Sequence, residues 1–325
     1  MQISRILGTI AGAGAVLLLG ISSSFAVDVG ITWVSSSGTD TGSCSPNNPC
    51  RTFQYAHNQI TFPSGSIYAL DTIADYGPLT ITKGLAIYSP DESSATRAKI
   101  HAASGNAITI NAGPGDTVVL VNLRLEGGNT GDNGILFNSG RALEVYGGTI
   151  VGFNAPAPNG FSIKFAPAQL SKLIVTQTYL GFSGNGTTGG AIQVHPQSGG
   201  GAQVLLARAQ LLNGVFGLAI DTTGSTGGVN AVVRNSRIQN NSQDGIVLVG
   251  GAPIGLLVDD SAVFANGGNG VRAIGANVTA RLSQTAVAGN GTGVAAFSGG
   301  LVQSYGNNNI VANGANGTAV KIPTD

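Results

Sequence analysis

Between Val229 and Val294, apolar and polar positions recur in three segments that can be laid under one another. Each opens on an alternating strand: Val229/Ala231/Val233, Ile254/Leu256/Val258 and Val278/Ala280/Leu282. Each passes a polar residue (Asn235, Asp260, Gln284) to an apolar one (Ile238, Val263, Val287), and three residues later reaches Asn241, Asn266 or Asn290. A Gly-apolar pair then starts the next alternation at Gly245, Gly270 and Gly293, with spacings 270 − 245 = 25 and 293 − 270 = 23. A period in the twenties, built of short strands and polar turns, predicts a solenoid.

Period-two alternation places Val229, Ala231 and Val233 on one face of a strand and Asn230 and Val232 on the other. No segment can bury its apolar face alone. Stacked as coils in parallel pairing, about 4.8 Å apart, the segments form continuous interior columns such as Val229/Ile254/Val278 and Ile238/Val263/Val287. The predicted fold class is all-β, a parallel β-helix with a short N-terminal capping helix. The recurring asparagines fit one corner of the coil, where Asn tolerates left-handed backbone and its amide can bond the Asn of the next coil. The alternative reading of the same residues is a polar ligand site. Asn213 precedes Gly217 by four, as Asn241 precedes Gly245, and Asn313 continues the series, so the expected ladder is Asn213, Asn241, Asn266, Asn290 and Asn313.

Other Gly-apolar starts recur upstream at Gly134, Gly160, Gly190 and Gly217, with spacings of 160 − 134 = 26, 190 − 160 = 30 and 217 − 190 = 27. The extra residues fall in the Pro/Gly/Ser loops 155–159 and 197–201. Three regions follow: a leader over 1–26, a cap over 27–64, and coils over 65–325 whose last member is degenerate. The leader is read from Arg5, an apolar run from Ile6 to Ile21, and the small-x-small signal Ser24-Phe25-Ala26. Export to the periplasm or exterior is expected, with no retained membrane span. In the cap, Cys44 and Cys50 are the chain's two cysteines. In an exported protein they are expected to close a disulfide loop; a metal site, the alternative, has no neighbouring His or Cys pair to complete it. Phe53, Ala56 and Ile60 share a helical face, so Arg51 to Ile60 is expected to form a helix plugging the first coil.

Composition narrows the partners. The 51 glycines in 325 residues are about twice the usual share. Lys plus Arg and Asp plus Glu both number 15, and removing Arg5 with the leader leaves 14 against 15. That balance excludes the basic footprint of a nucleic-acid binder. His57, His101 and His195 offer no ligand spacing and read as structural or exposed.

The coil pattern with an Asn at one turn resembles the right-handed parallel β-helix proteins of the pectin-lyase-like superfamily. The opening Trp33-Val34-Ser35, Gly38-Thr39-Asp40, Cys44 and Pro49-Cys50-Arg51-Thr52-Phe53-Gln54 is similar to the start of exported bacterial β-helix proteins. The resemblance implies the fold over nearly the whole mature chain, and an activity drawn from lyases, hydrolases, epimerases, adhesins or non-catalytic proteins.

Glycosidic hydrolysis asks for two carboxylates about 5–9.5 Å apart, and lyases of the resembling superfamily typically use Ca²⁺ held by acidic residues together with a base. Asp259-Asp260 does not meet the first demand. The repeat aligns Asp259 with Arg234 and Ser283, and Asp260 with Asn235 and Gln284, so an Arg234–Asp259 surface ion pair is expected instead. The superfamily hydrolases' Asn-Thr-Asp, Gly-His-Gly and Arg-Ile-Lys motifs do not occur in the chain. Arg124, Glu126, Asp132, Arg141 and Glu144 concentrate charge and are the weaker catalytic or Ca²⁺ candidates. Tyr88, Tyr146, Tyr179 and Tyr305 could stack on sugars, but their coil positions form no readable column. Two expectations are carried forward: a monomeric, non-catalytic exported β-helix presenting a repetitive surface to a glycan or cell-envelope partner without cofactor, or a polysaccharide lyase or glycoside hydrolase.

Overall fold

A computed structural model describes residues 30–62, 64–71, 74–90 and 97–323; the expected leader, 1–26, lies outside them. Every pairing between the named strands is parallel; each inner coil contributes one strand to each of three sheets, and extra strands at the two ends bring the long sheet to twelve strands against nine and nine. The register repeats the sequence alignment: Val229 pairs with Ile254 and Ile254 with Val278, while Ile238 pairs with Val263 and Val263 with Val287. These inward columns are almost fully buried. Each such side chain contributes roughly 1.5–3 kcal/mol on burial, so cohesion is spread along the coil axis. Parallel crossovers of this kind run right-handed.

Two-residue corners connect the long sheet to the second sheet. Their first residues, Asn235, Asp260 and Gln284, have φ of 49°, 44° and 48°, and short polar side chains tolerate that conformation best. Left-handed backbone therefore belongs to this polar column, and to Asn240 and Ala265 just before the ladder, rather than to the ladder asparagines.

At the corner between the second and third sheets, the side chains of Asn241, Asn266, Asn290 and Asn313 form one chain of hydrogen bonds. Asn241 Nδ2 donates to Asn266 Oδ1 (2.9 Å), Asn266 Nδ2 to Asn290 Oδ1 (2.8 Å), and Asn290 Nδ2 to Asn313 Oδ1 (2.9 Å). Asn213 stands outside this column. The neighbour of Asn241 is the Gly214 amide, which donates to its Oδ1 at 3.0 Å, and Asn213 occupies the preceding left-handed position with φ 56°. At the other end Asn313 Nδ2 donates to Asn316 Oδ1 at 3.1 Å, so the last rung is closed by its own loop.

The recurring glycines make room for this ladder. A Cβ at Gly245 would lie 2.7 Å from Asn266 Nδ2, and one at Gly270 would lie 2.9 Å from Asn290 Nδ2. Gly134, Gly217, Gly245, Gly270 and Gly293 share one register position, but Ser162 and Ala191 occupy it in the two coils between. Gly160 and Gly190 thus fall out of the column, two residues and one residue ahead of it, because the loops before each of them differ in length.

In the cap, strand Ile31–Val34 pairs with Gly65–Ala69 and already forms the edge of the long sheet. Cys44 and Cys50 are joined by a disulfide and are fully buried. The helix spans Phe53–Gln59, with Thr52 as N-cap accepting from the Tyr55 amide at 3.1 Å and Phe53, Ala56 and His57 facing the coil end. His57 is structural: Nδ1 donates to Asn58 Oδ1 (2.9 Å) and Nε2 accepts from the Thr82 amide (3.2 Å). Burial holds its imidazole below the ordinary value, against the Asn58 bond and with the help of the Lys83 charge. A depressed folded pKa means that stability is whole above the unfolded value of about 6.5 and is lost as pH falls through the folded one. Melting temperature is accordingly expected to drop below pH about 6.5, and His57→Gln to flatten that limb. A variant with the wild-type acid limb would assign the loss to another group.

Candidate functional site

The sequence-selected charges do not converge on one site. Arg124 and Glu126 sit on the second sheet, paired with each other through Arg124 Nε at 2.7 Å and approached by Lys99 at 3.9 Å. Arg141 and Glu144 belong to the long sheet's side, where Arg141 Nη2 donates to Thr117 Oγ1 (2.9 Å) and Glu144 Oε2 accepts from the Tyr146 hydroxyl (2.8 Å). Burial, with Glu144 beside it, pushes the Tyr146 phenol up to about 12. Asp132 lies at the entry to the third sheet, next to strand Asn133–Ser139. Among the described residues no group of three or more His, Cys, Asp or Glu is placed to hold a metal ion.

Asp259 does pair in register with Arg234 and Ser283, yet the expected Arg234–Asp259 ion pair does not form within 4.0 Å among the described residues. Both side chains point outward from the long sheet. Asp260 instead accepts a hydrogen bond from the Asn235 amide.

Aromatic residues do form a column, which the sequence concealed because its members lie in irregular early coils. Trp33, Tyr68 and Tyr88 occupy one outward position on successive strands, with ring centroids 6.3 and 5.0 Å apart, and Tyr146 stands two coils further on beyond Val121. Stacked rings cover one another's faces, so these present mainly edges to solvent. Tyr179 lies on the second sheet.

A cleft of about 380 Å³ with both charged and apolar lining lies on the outward face of the third sheet. Its floor is a register column on five successive coils: Lys164, Gln193, Ala219, Val247 and Arg272. At about 4.8 Å per rung the floor is roughly 19 Å long. Phe161 and Phe216 bound one side, and the 155–159 loop contributes Ala157 and Pro158 as a wall. Lys164 Nζ donates to the Pro158 carbonyl at 2.7 Å, and burial lowers its pKa despite the opposing charge of Asp132. His195 Nδ1 donates to the Asp221 carbonyl at 3.0 Å, with the Asp221 carboxylate 3.7 Å away. In the neutral ring this leaves Nε2 as an acceptor. Arg272 approaches the buried Asp244 carboxylate at 2.5 Å. Two buried atoms of the floor, Gln193 Oε1 and Arg272 Nε, have no hydrogen-bond partner. Unpaired buried polar atoms are costly.

None of these floor and wall residues stood out in sequence. His195 reads there as structural or exposed, and the signal available was the 155–159 insertion, which supplies Ala157 and Pro158 to the wall.

The class of protein is thus the parallel β-helix, with a polar cleft across several coils of one face. In fold the chain is similar to Geobacillus virus E2 ORF18, at 11% identity and a TM-score of 0.51, over 86% of this chain and 59% of that one. It spans about three fifths of that protein's length. Pectate lyase Pel9A is a further similar structure, with 14% identity, a TM-score of 0.42, and coverage of 90% of this chain and 77% of that one. No family model matches the sequence. No curated protein matches it in sequence. Among the described residues no helix is long and apolar enough to cross a membrane.

Proposed function

We propose that the chain is an exported binding protein that holds an extended polar glycan along the third-sheet cleft without cleaving it, and that it needs no cofactor to do so. The carrying observation is the floor itself, which offers polar groups at both ends and small apolar residues between them over five coils. Lys164 and Arg272 are balanced by Asp221 in the lining and by Asp244 against Arg272, so the floor offers polar contacts without a strong preference for charge. The reading as binder rests on the lining having one carboxylate, Asp221, where hydrolysis by paired carboxylates takes two.

One observation favours the enzyme class. A lysine whose pKa is lowered by burial holds more of its neutral amine at a given pH, the form a general base needs, and Lys164 is such a group. The two readings separate in one experiment. Purified protein is titrated with polyuronates and neutral glycans, with and without Ca²⁺, while unsaturated products and reducing ends are followed. Binding should weaken about tenfold in Lys164→Ala and in Gln193→Ala, a loss of about 1.4 kcal/mol for one polar contact. Asp259→Asn and Asp260→Asn should bind as wild type. Turnover above the buffer control that disappears in Lys164→Ala would establish the lyase reading instead. Binding unchanged by both cleft variants would remove the cleft from the function.

A further inference from the structure

The outward face of the long sheet breaks its own alternation. Positions that should be polar form a central column of Glu144, Ile174, Leu205, Val232, Leu257 and Arg281 on six successive coils. The four apolar members are half-buried and floor a trough of about 490 Å³. One flanking column reads Lys172, Gln203, Asn230, Gly255, and the other Thr176, Ala207, Arg234, Asp259.

We propose that this face is the interface of a two-fold homodimer in which two long sheets pack face to face with their coil axes antiparallel. The occupant is a second copy because the columns are self-complementary under one operation. A two-fold axis along the strand direction, passing between the coils of Leu205 and Val232, reverses the order of each column and keeps each opposite itself. Leu205 then meets Val232 of the second copy, Ile174 meets Leu257, and Glu144 meets Arg281. In the flanking columns Gln203 meets Asn230, two amides that can bond each other. Lys172 meets Gly255, and Arg234 meets Ala207, so each long side chain faces a small residue. Thr176 meets Asp259, a donor against an acceptor. The other in-plane two-fold axis, along the coil axis, sets Glu144 against Glu144 and Arg281 against Arg281. Like charges directly opposite oppose that arrangement, so the charged ends select the antiparallel one. The central apolar column supplies the desolvation that holds the pair together.

The proposal stands independently of the glycan cleft, which lies on a different sheet. Sedimentation velocity of the wild-type protein should show a dimer at about 100 µM that dissociates on dilution. Arg281→Glu should weaken the dimer at least about tenfold, as should Glu144→Arg, by setting like charges opposite each other. Combining the two should restore it, because opposite charges again meet. Gly255→Lys tests the notch without touching the charged ends. A Cβ there meets a single neighbouring side-chain atom, Asn230 Oδ1 at 3.3 Å, so the coil should fold as wild type by circular dichroism while the lysine collides with Lys172 of the second copy. A wild-type protein that stays monomeric at about 100 µM overturns the proposal, whether or not its trough takes up a glycan. So does a dimer that Gly255→Lys leaves intact, or one that the double charge exchange fails to restore.

Discussion

Asn266→Ala should lower the stability of the β-helix by about 3 kcal/mol, read as a shift of the urea midpoint. Asn266 is 2% exposed and sits in the middle of the ladder. Its Oδ1 accepts from the Asn241 amide (3.1 Å) and from Asn241 Nδ2 (2.9 Å), and its Nδ2 donates to Asn290 Oδ1 (2.8 Å) and to the Ile238 carbonyl (3.2 Å). Alanine removes all four bonds and strands the buried Asn241 N–H, while Asn241 Nδ2 keeps the Leu211 carbonyl and Asn290 Oδ1 keeps the Asn266 amide; a stranded buried group costs roughly 1–3 kcal/mol. Asn266→Asp keeps the shape and the acceptor but removes the donor, setting two oxygens against each other beside Asn290. It should destabilise comparably. The control Asn230→Ala, exposed on the long sheet, should cost about 0.5 kcal/mol or less. Equal midpoints for Asn266→Ala and Asn230→Ala would show that the ladder contributes nothing net.

Asp244→Ala should have a comparable effect on stability and a second one on binding. The Asp244 side chain is 3% exposed; its Oδ1 accepts from the Asn269 amide (2.7 Å) and Nδ2 (2.8 Å), while Oδ2 lies against the Arg272 guanidinium. That last contact is close but poorly aligned, since Oδ2 makes no regular hydrogen bond. Removing one partner of a buried pair typically costs 3–5 kcal/mol. Because Arg272 is 31% exposed, solvent relieves part of this, and about 3 kcal/mol is expected. Arg272 also ends the floor of the cleft, so glycan affinity should fall in the same variant. Asp244→Asn retains the acceptor for Asn269 and should lie between alanine and wild type in midpoint. An alanine variant as stable as wild type would mean that Arg272 finds equivalent solvation without Asp244.

Legibility differed between fold and site for a physical reason that particular residues illustrate. Strand alternation, the Ile238/Val263/Val287 column and the asparagines at 241, 266, 290 and 313 are set by contacts between equivalent positions of neighbouring coils, and such contacts leave a period in the chain. Asn213 misled because its spacing to Gly217 copies that of Asn241, although the backbone turns one residue later. The glycines at 160 and 190 misled likewise, since a loop of changed length shifts register without changing residue type. Asp244 gave no signal, because its partners Asn269 and Arg272 lie 25 and 28 residues away in the next coil, and Arg272 shares no repeat position with it.

What the sequence by itself determined is the coil: its period, its apolar interior, the ladder from Asn241 to Asn313 and a short helical cap within Arg51 to Ile60, which the structure forms over Phe53–Gln59. The tertiary structure decided which outward positions become neighbours. Lys164 and Gln193 are 29 residues apart yet adjacent on the floor of one cleft, and Glu144 and Ile174 adjoin in the long-sheet column. Outward side chains carry no burial constraint, so their order along the chain is free to vary, and only the register of stacked coils, fixed by the core and the loop lengths, turns them into a surface.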